Sequence, residues 1–144
     1  MKKTILVALI WTACLAACNK DDPDPDIQFE GNASKVAYRQ NTVVPASGSD
    51  LTVSLKEVVD SRCPSNANCI TMGAAALTFA ISNGTDNADV KASFSANSKD
   101  SAIQTFSLGN RNYALKVTEV LPYPETSQTP KLEDYKVGVS IVKL

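Results

Sequence analysis

In the stretch "DSRCPSNANC", residues 60 to 69, Cys63 and Cys69 stand with five residues between them. Two thiols so placed can clamp a metal, cycle as a redox couple or close a disulfide. A tetrahedral zinc site would need two more ligands. The chain has no histidine, and its only other cysteines are Cys14 and Cys18 near the amino terminus, so no metal is expected. A redox-active pair favours a shorter spacing at a helix start, where the dipole lowers a thiol's pKa. Here Pro64, Ser65, Asn66 and Asn68 spell a turn-rich loop instead. The lack of histidine also removes a Ser-His-Asp triad and a His-paired cysteine nucleophile. The six glycines are scattered singly, which leaves no glycine-rich loop to cradle a phosphate. Carboxylate chemistry stays open, because two acids at a suitable distance can work on a glycoside. None of the acids, however, sits in a recognisable glycosidase motif. No catalytic residue and no cofactor are expected.

Asp60 and Arg62 are a second candidate, since a charged pair beside a rigid turn can hold a ligand carboxylate or a sugar hydroxyl. A structural role is the stronger expectation. Asp60 can accept from the amides of its own turn, and Arg62, one of three arginines, can pair with it or bind loop carbonyls. Among the four tyrosines, only Tyr123, between Pro122 and Pro124, has the context of a surface residue. Glu125 follows in the same proline-rich stretch.

What the thiols do depends on where the chain resides. Residues 1–18, "MKKTILVALIWTACLAAC", carry two lysines, an apolar run from Ile5 to Trp11 and small residues around a cysteine. That is a secretory signal, too short to remain as a membrane-spanning helix. Leu15-Ala16-Ala17-Cys18 resembles the lipobox of bacterial lipoproteins. The resemblance implies removal of residues 1–17 and acyl chains such as palmitate on Cys18, the new amino terminus. Each buried methylene contributes about 0.8 kcal/mol, so two or three chains hold a protein on a membrane without inserting it. Residues 18–26 continue with an acidic, proline-containing run that suits an extended tether. Calcium could be sought in "DDPDPD", but the glycine turn and distal glutamate of an EF-hand are missing. Lys20-Asp21-Asp22 looks like the export tag that some Gram-negative lipoproteins use to reach the outer face of the outer membrane. Asn19 in place of Asp speaks against retention at the inner membrane. The expected location is the outer membrane, on the cell surface in preference to the periplasmic face.

With Cys14 removed and Cys18 acylated, Cys63 and Cys69 are the thiols left in an oxidising compartment, and a disulfide is the expectation. Closing so short a loop stabilises by roughly 2 kcal/mol. Loss of Lys2 and Lys3 leaves twelve basic side chains against fifteen acids, a net charge of about −3. No basic stripe exists, and nucleic acid is not an expected partner.

Residues 27–144 suffice for one domain. Apolar residues alternate with period two, as strands require. Leu51, Val53 and Leu55 share a face, as do Ala75, Leu77, Phe79 and Ile81; Val90, Ala92 and Phe94; Ala102, Phe106 and Leu108; Tyr113, Leu115 and Val117; and Tyr135, Val137, Val139 and Ile141. Turn-forming clusters such as "PASGSD", "SNGTDNAD" and "SANSKD" bound these runs. The alanines of "GAAAL" favour helix, but the alternation continues through them. The series steps irregularly from Leu55 to Val58 and from Val117 to Val120, as a bulge at a sheet rim would make it do. Seven or so short strands predict an all-β, two-layer antiparallel sandwich, immunoglobulin-like in general architecture, with a small barrel as the alternative. If consecutive strands reverse direction, the segments 60–72, 96–101 and 122–134 fall at one pole. Long loops on a rigid scaffold are where binding residues concentrate, so Asp60, Arg62, Tyr123 and Glu125 are the candidate binding residues.

"DSRCPSNANCITMGAAALTF", then "LPYPET" and "DYKVGVSIV", is similar to a group of small bacterial secreted proteins and lipoproteins. These carry Asp-Ser-Arg-Cys-Pro, a second cysteine a few residues on and a glycine that opens the next strand. Members often place an aromatic residue before that glycine, where this chain has Thr71 and Met72. The resemblance covers most of residues 51–144, implies fold and compartment, and brings no activity with it. Asp100-Ser101-Ala102 also resembles the short O-glycosylation site of some of the same bacteria, on Ser101. The reading is a lipid-anchored, non-catalytic binding or accessory module with an envelope protein or glycan as partner. An inhibitor of an envelope hydrolase or protease is the alternative, and a carboxylate-based glycosidase the third possibility.

Overall fold

The computed structural model describes residues 27–29, 33–95 and 103–144. The expected signal peptide 1–17, the lipidated Cys18, the tether 18–26 and the glycosylation candidate Ser101 lie outside the described residues. Eight strands are described: β1 (Ser34–Ala37), β2 (Thr42–Ala46), β3 (Ser49–Asp60), β4 (Ala75–Ser82), β5 (Asn87–Phe94), β6 (Ile103–Leu108), β7 (Arg111–Leu121) and β8 (Lys136–Lys143). They form two four-stranded sheets, β1-β8-β7-β6 and β2-β3-β4-β5, with every neighbour antiparallel. The sheets pack face to face as a sandwich.

Alternation is the cause. Leu51, Val53, Leu55, Ala75, Phe79, Leu115, Val117, Val137 and Val139 are all fully buried in one core between the layers. "GAAAL" is strand from Ala75 onward. The two irregular steps are bulges. Leu55 pairs with Phe79 and Glu57 with Thr78, so Lys56 is extra and both Leu55 and Val58 face inward. Likewise Val117 pairs with Val139 and Glu119 with Gly138, leaving Thr118 extra. A Cβ at Gly138 would meet the Thr118 hydroxyl and Glu119 Cγ, so those side chains of the bulge would have to shift to admit one.

β1 and β2 are the strands that the sequence pattern left unread. Each is an edge strand, and Pro45 in β2, which lacks an N–H, is tolerated for that reason. The chain between them crosses from one sheet to the other. Tyr38 donates its amide to the Tyr135 carbonyl (3.1 Å), and Arg39 donates to that of Leu55 (2.9 Å), which ties the start of β8 to β3.

Strands β3 to β8 reverse direction in turn. The connection 61–74 and the connection 122–135, with one 3-10 turn at Leu132–Asp134, therefore meet at one pole. The opposite pole has the short turns 83–86 and 109–110.

Candidate functional site

The ladder between β3 and β4 continues past their ends. Ser61 donates its amide (2.9 Å) and its hydroxyl (2.7 Å) to the Ala74 carbonyl, and the Cys63 amide donates to Met72 O (2.8 Å). The Cys63–Cys69 disulfide, with Cα atoms 6.0 Å apart, closes the tip. Gly73 lets the returning strand come this close. It adopts φ +64°, and a Cβ there would run into the Ser61 carbonyl.

The stapled loop is joined to the proline-rich loop by backbone and side-chain bonds. Ser65 donates its amide to Pro124 O (2.9 Å), and the Thr126 amide donates to Asn66 Oδ1 (2.9 Å). Beneath these contacts lies the pair Asp60 and Arg62, with side chains 7 % and 1 % exposed. Arg62 Nε donates to Asp60 Oδ1 (2.9 Å) and Nη2 to Oδ2 (2.6 Å), while the Arg62 amide also reaches Oδ1 (3.1 Å). On its other side, Nη1 donates to Val120 O (2.8 Å) and Nη2 to Pro122 O (3.0 Å). A bidentate, charge-assisted pair of this kind can offset the cost of removing both charges from water. Tyr135 completes the cluster by donating its hydroxyl to Asp60 Oδ2 (3.0 Å). Among the described residues no buried side-chain nitrogen or oxygen lacks a partner.

The electrostatics follow from these bonds. Burial pushes the Asp60 carboxyl up, but the hydrogen bonds from the Arg62 side chain and amide, the Arg62 charge and the Tyr135 hydroxyl together hold it below its ordinary value. Burial, the bond to Asp60 and the Asp60 charge push the Tyr135 hydroxyl up to about 12.

Of the four candidate residues, Asp60 and Arg62 are thus engaged with each other, Asp60 with the Tyr135 hydroxyl and Arg62 with the carbonyls of Val120 in β7 and Pro122 just after it. Arg62 faces no solvent-filled space; its four side-chain bonds clamp the two loops together. Tyr123 and Glu125 are different. The Tyr123 ring is half-buried, with the Arg62 guanidinium carbon 4.6 Å from its centre, a cation–π contact that holds the ring in place. The ring is a wall shared by two open grooves. One, of about 500 Å³, runs along Cys63, Pro64, Ala67, Cys69 and Met72; the other, of about 870 Å³, is lined by Glu125, Gln128, Lys131 and Asp134 among others. Glu125 is exposed at a turn in which Gln128 donates its amide to the Glu125 carbonyl (3.3 Å). Ile70 (105 % exposed) and Met72 (41 %) crown the stapled loop.

Tyr135 belongs to this cluster as well, although its alternation with Val137, Val139 and Ile141 marks it in the sequence only as a core residue at the head of a strand. A buried tyrosine needs a partner for its hydroxyl, and that need was the available signal. No group of three or more His, Cys, Asp or Glu side chains converges among the described residues. No protein-family model, no curated protein and no solved structure matches the chain.

Proposed function

We propose that this protein is a lipid-anchored, non-catalytic binding module of the bacterial cell envelope whose ligand site is the pole formed by the 61–74 and 122–135 loops. The observation that supports it is the Arg62 clamp, which spends a buried cation on fixing two long surface loops relative to each other. Loops ordered before binding lose little entropy when a ligand arrives, and affinity gains accordingly. A clamp serving the fold alone has no need to order an aromatic ring between two grooves.

The full chain, solubilised in detergent and used as bait in envelope extract, should retain a specific ligand. The double variant Tyr123→Ala, Glu125→Ala should not. Equal capture by both would end the reading. Release of a hydrolysis product from a captured glycan would replace it with the glycosidase alternative, for which Glu125 and Asp134, acids lining one groove, are the residues to test.

Ile70 favours a second reading, in which the stapled loop inhibits an envelope hydrolase. An aliphatic side chain fully exposed next to the disulfide suits insertion into a partner's cleft. Capture of one hydrolase, lost in Ile70→Asp, would establish it. The anchor is proposed at Cys18 and the location at the cell surface; protease shaving of intact cells should remove the domain. Survival until the outer membrane is broken would put it on the periplasmic side. Ser101 as a glycosylation site predicts a hexose-bearing peptide that Ser101→Ala abolishes.

A further inference from the structure

The groove between Tyr123 and the 3-10 turn has a chemistry that narrows its ligand. It holds one aromatic ring, a carboxamide (Gln128), two carboxylates (Glu125 and Asp134) and two ammonium groups (Lys131 and Lys136). Glu125 and Gln128 make no side-chain hydrogen bond or ion pair among the described residues. Asp134 accepts only from the Lys131 amide, at 3.3 Å. These side chains therefore present unspent planar acceptors, donors on a carboxamide and flexible donors around a rigid ring.

We infer that this groove binds a neutral oligosaccharide, with a pyranose ring stacked on Tyr123 and its hydroxyls shared among Glu125, Gln128 and Asp134. A sugar offers an apolar C–H face and a rim of hydroxyls that both donate and accept. The first fits an aromatic face, and the second fits carboxylates and carboxamides. Arg62, 4.6 Å from the ring centre, holds Tyr123 in place at the groove's wall, where a pyranose would stack. Two acids against two lysines leave the groove without net charge, so a polyanion finds no field to draw it in. At about 870 Å³ the space is in the range that holds a drug-sized ligand, more than one sugar ring needs. Pro122 and Pro130 line it, and the Glu125–Gln128 turn beside them is closed by a backbone hydrogen bond.

This inference rests on the binding-module reading, and its test separates the two. Full-length protein in detergent is titrated with neutral gluco-, manno-, xylo- and chito-oligosaccharides, and with heparin and polygalacturonate as polyanions. At least one neutral series should bind. Tyr123→Ala should weaken it at least about tenfold, equivalent to about 1.4 kcal/mol, with Tyr123→Phe close to the parent chain. Glu125→Gln, an exposed change that leaves the clamp intact, should weaken it severalfold, and Ile70→Asp should leave it unchanged. Binding confined to polyanions, or neutral binding indifferent to both Tyr123→Ala and Glu125→Gln, would overturn the inference. Failure of every saccharide, with capture of an envelope protein lost in the Tyr123→Ala, Glu125→Ala variant, would overturn the glycan and leave the module. Failure of both would overturn the module as well.

Discussion

Tyr135 and Asp60, far apart in sequence at the head of β8 and the end of β3, share one hydrogen bond of 3.0 Å beneath the loop pole. The bond joins the two sheets and makes stability depend on pH at both extremes. The Tyr135 hydroxyl, raised from 10.0 to about 12, keeps its proton in the folded chain where the unfolded chain has released it. Its contribution is whole below pH 10 and is lost as the pH rises through about 12. Asp60, held below 3.8, acts in the opposite sense, with its contribution whole above that value and lost as the pH falls through the lowered one. Tyr135→Phe should cost about 1 kcal/mol at neutral pH. Urea midpoints should show that gap narrowing between pH 10 and 12. A constant gap would contradict the assignment.

Arg62→Ala should be among the most damaging single substitutions. It strands the Asp60 carboxylate and frees the Val120 and Pro122 carbonyls, for which about 3–5 kcal/mol is expected. Arg62→Lys keeps the charge but cannot reproduce the fork, and should recover less than half. Removing both partners, Asp60→Ala with Arg62→Ala, should cost less than the sum of the single losses. Denaturant unfolding of the three variants checks all of this. Strict additivity would mean that the two charges act separately.

Gly73 combines a left-handed backbone with a close approach to the Ser61 carbonyl. Gly73→Ala should destabilise by at least about 2 kcal/mol. Gly73→Asn is the sharper variant, because asparagine tolerates φ above zero yet still carries a Cβ. It should be as harmful as alanine. If asparagine restores stability, only the backbone conformation matters and the contact does not.

Thiol-labelling reagents should leave Cys63 and Cys69 unmodified until a reductant is added. Reduction should lower stability by roughly 2 kcal/mol. Because Ser65 and Asn66 inside the closed loop bond to Pro124 and Thr126, amide exchange at Ser65 and Thr126 should quicken at the same time. Unchanged exchange there would show that the staple acts on its own loop alone.

Intact mass measured after detergent extraction should correspond to a chain beginning at Cys18 with diacylglyceryl and amide-linked acyl groups. A mature chain starting elsewhere, without acyl mass, would remove the anchor from the proposal.

The local features were written in the residues. Period-two alternation defined six strands, and a skipped step between Leu55 and Val58, and again between Val117 and Val120, marked both bulges, because a strand's side chains alternate whatever lies across from them. Reversal of successive strands also brought the stapled and proline-rich loops to one pole. β1 and β2 were not legible. "SKVA" and "TVVPA" are too short to show a period, and they are strands because β8 and β3 offer them open edges. The role of Arg62 was likewise a tertiary decision. In sequence it stands beside Asp60 as a partner for that carboxylate and for loop carbonyls, or as a ligand contact; which carbonyls it meets is decided by the fold, which brings those of Val120 in β7 and of Pro122 just beyond it, about sixty residues away. Residue type sets which bonds a side chain can make, but burial and the choice of partner depend on which strand the fold lays beside it.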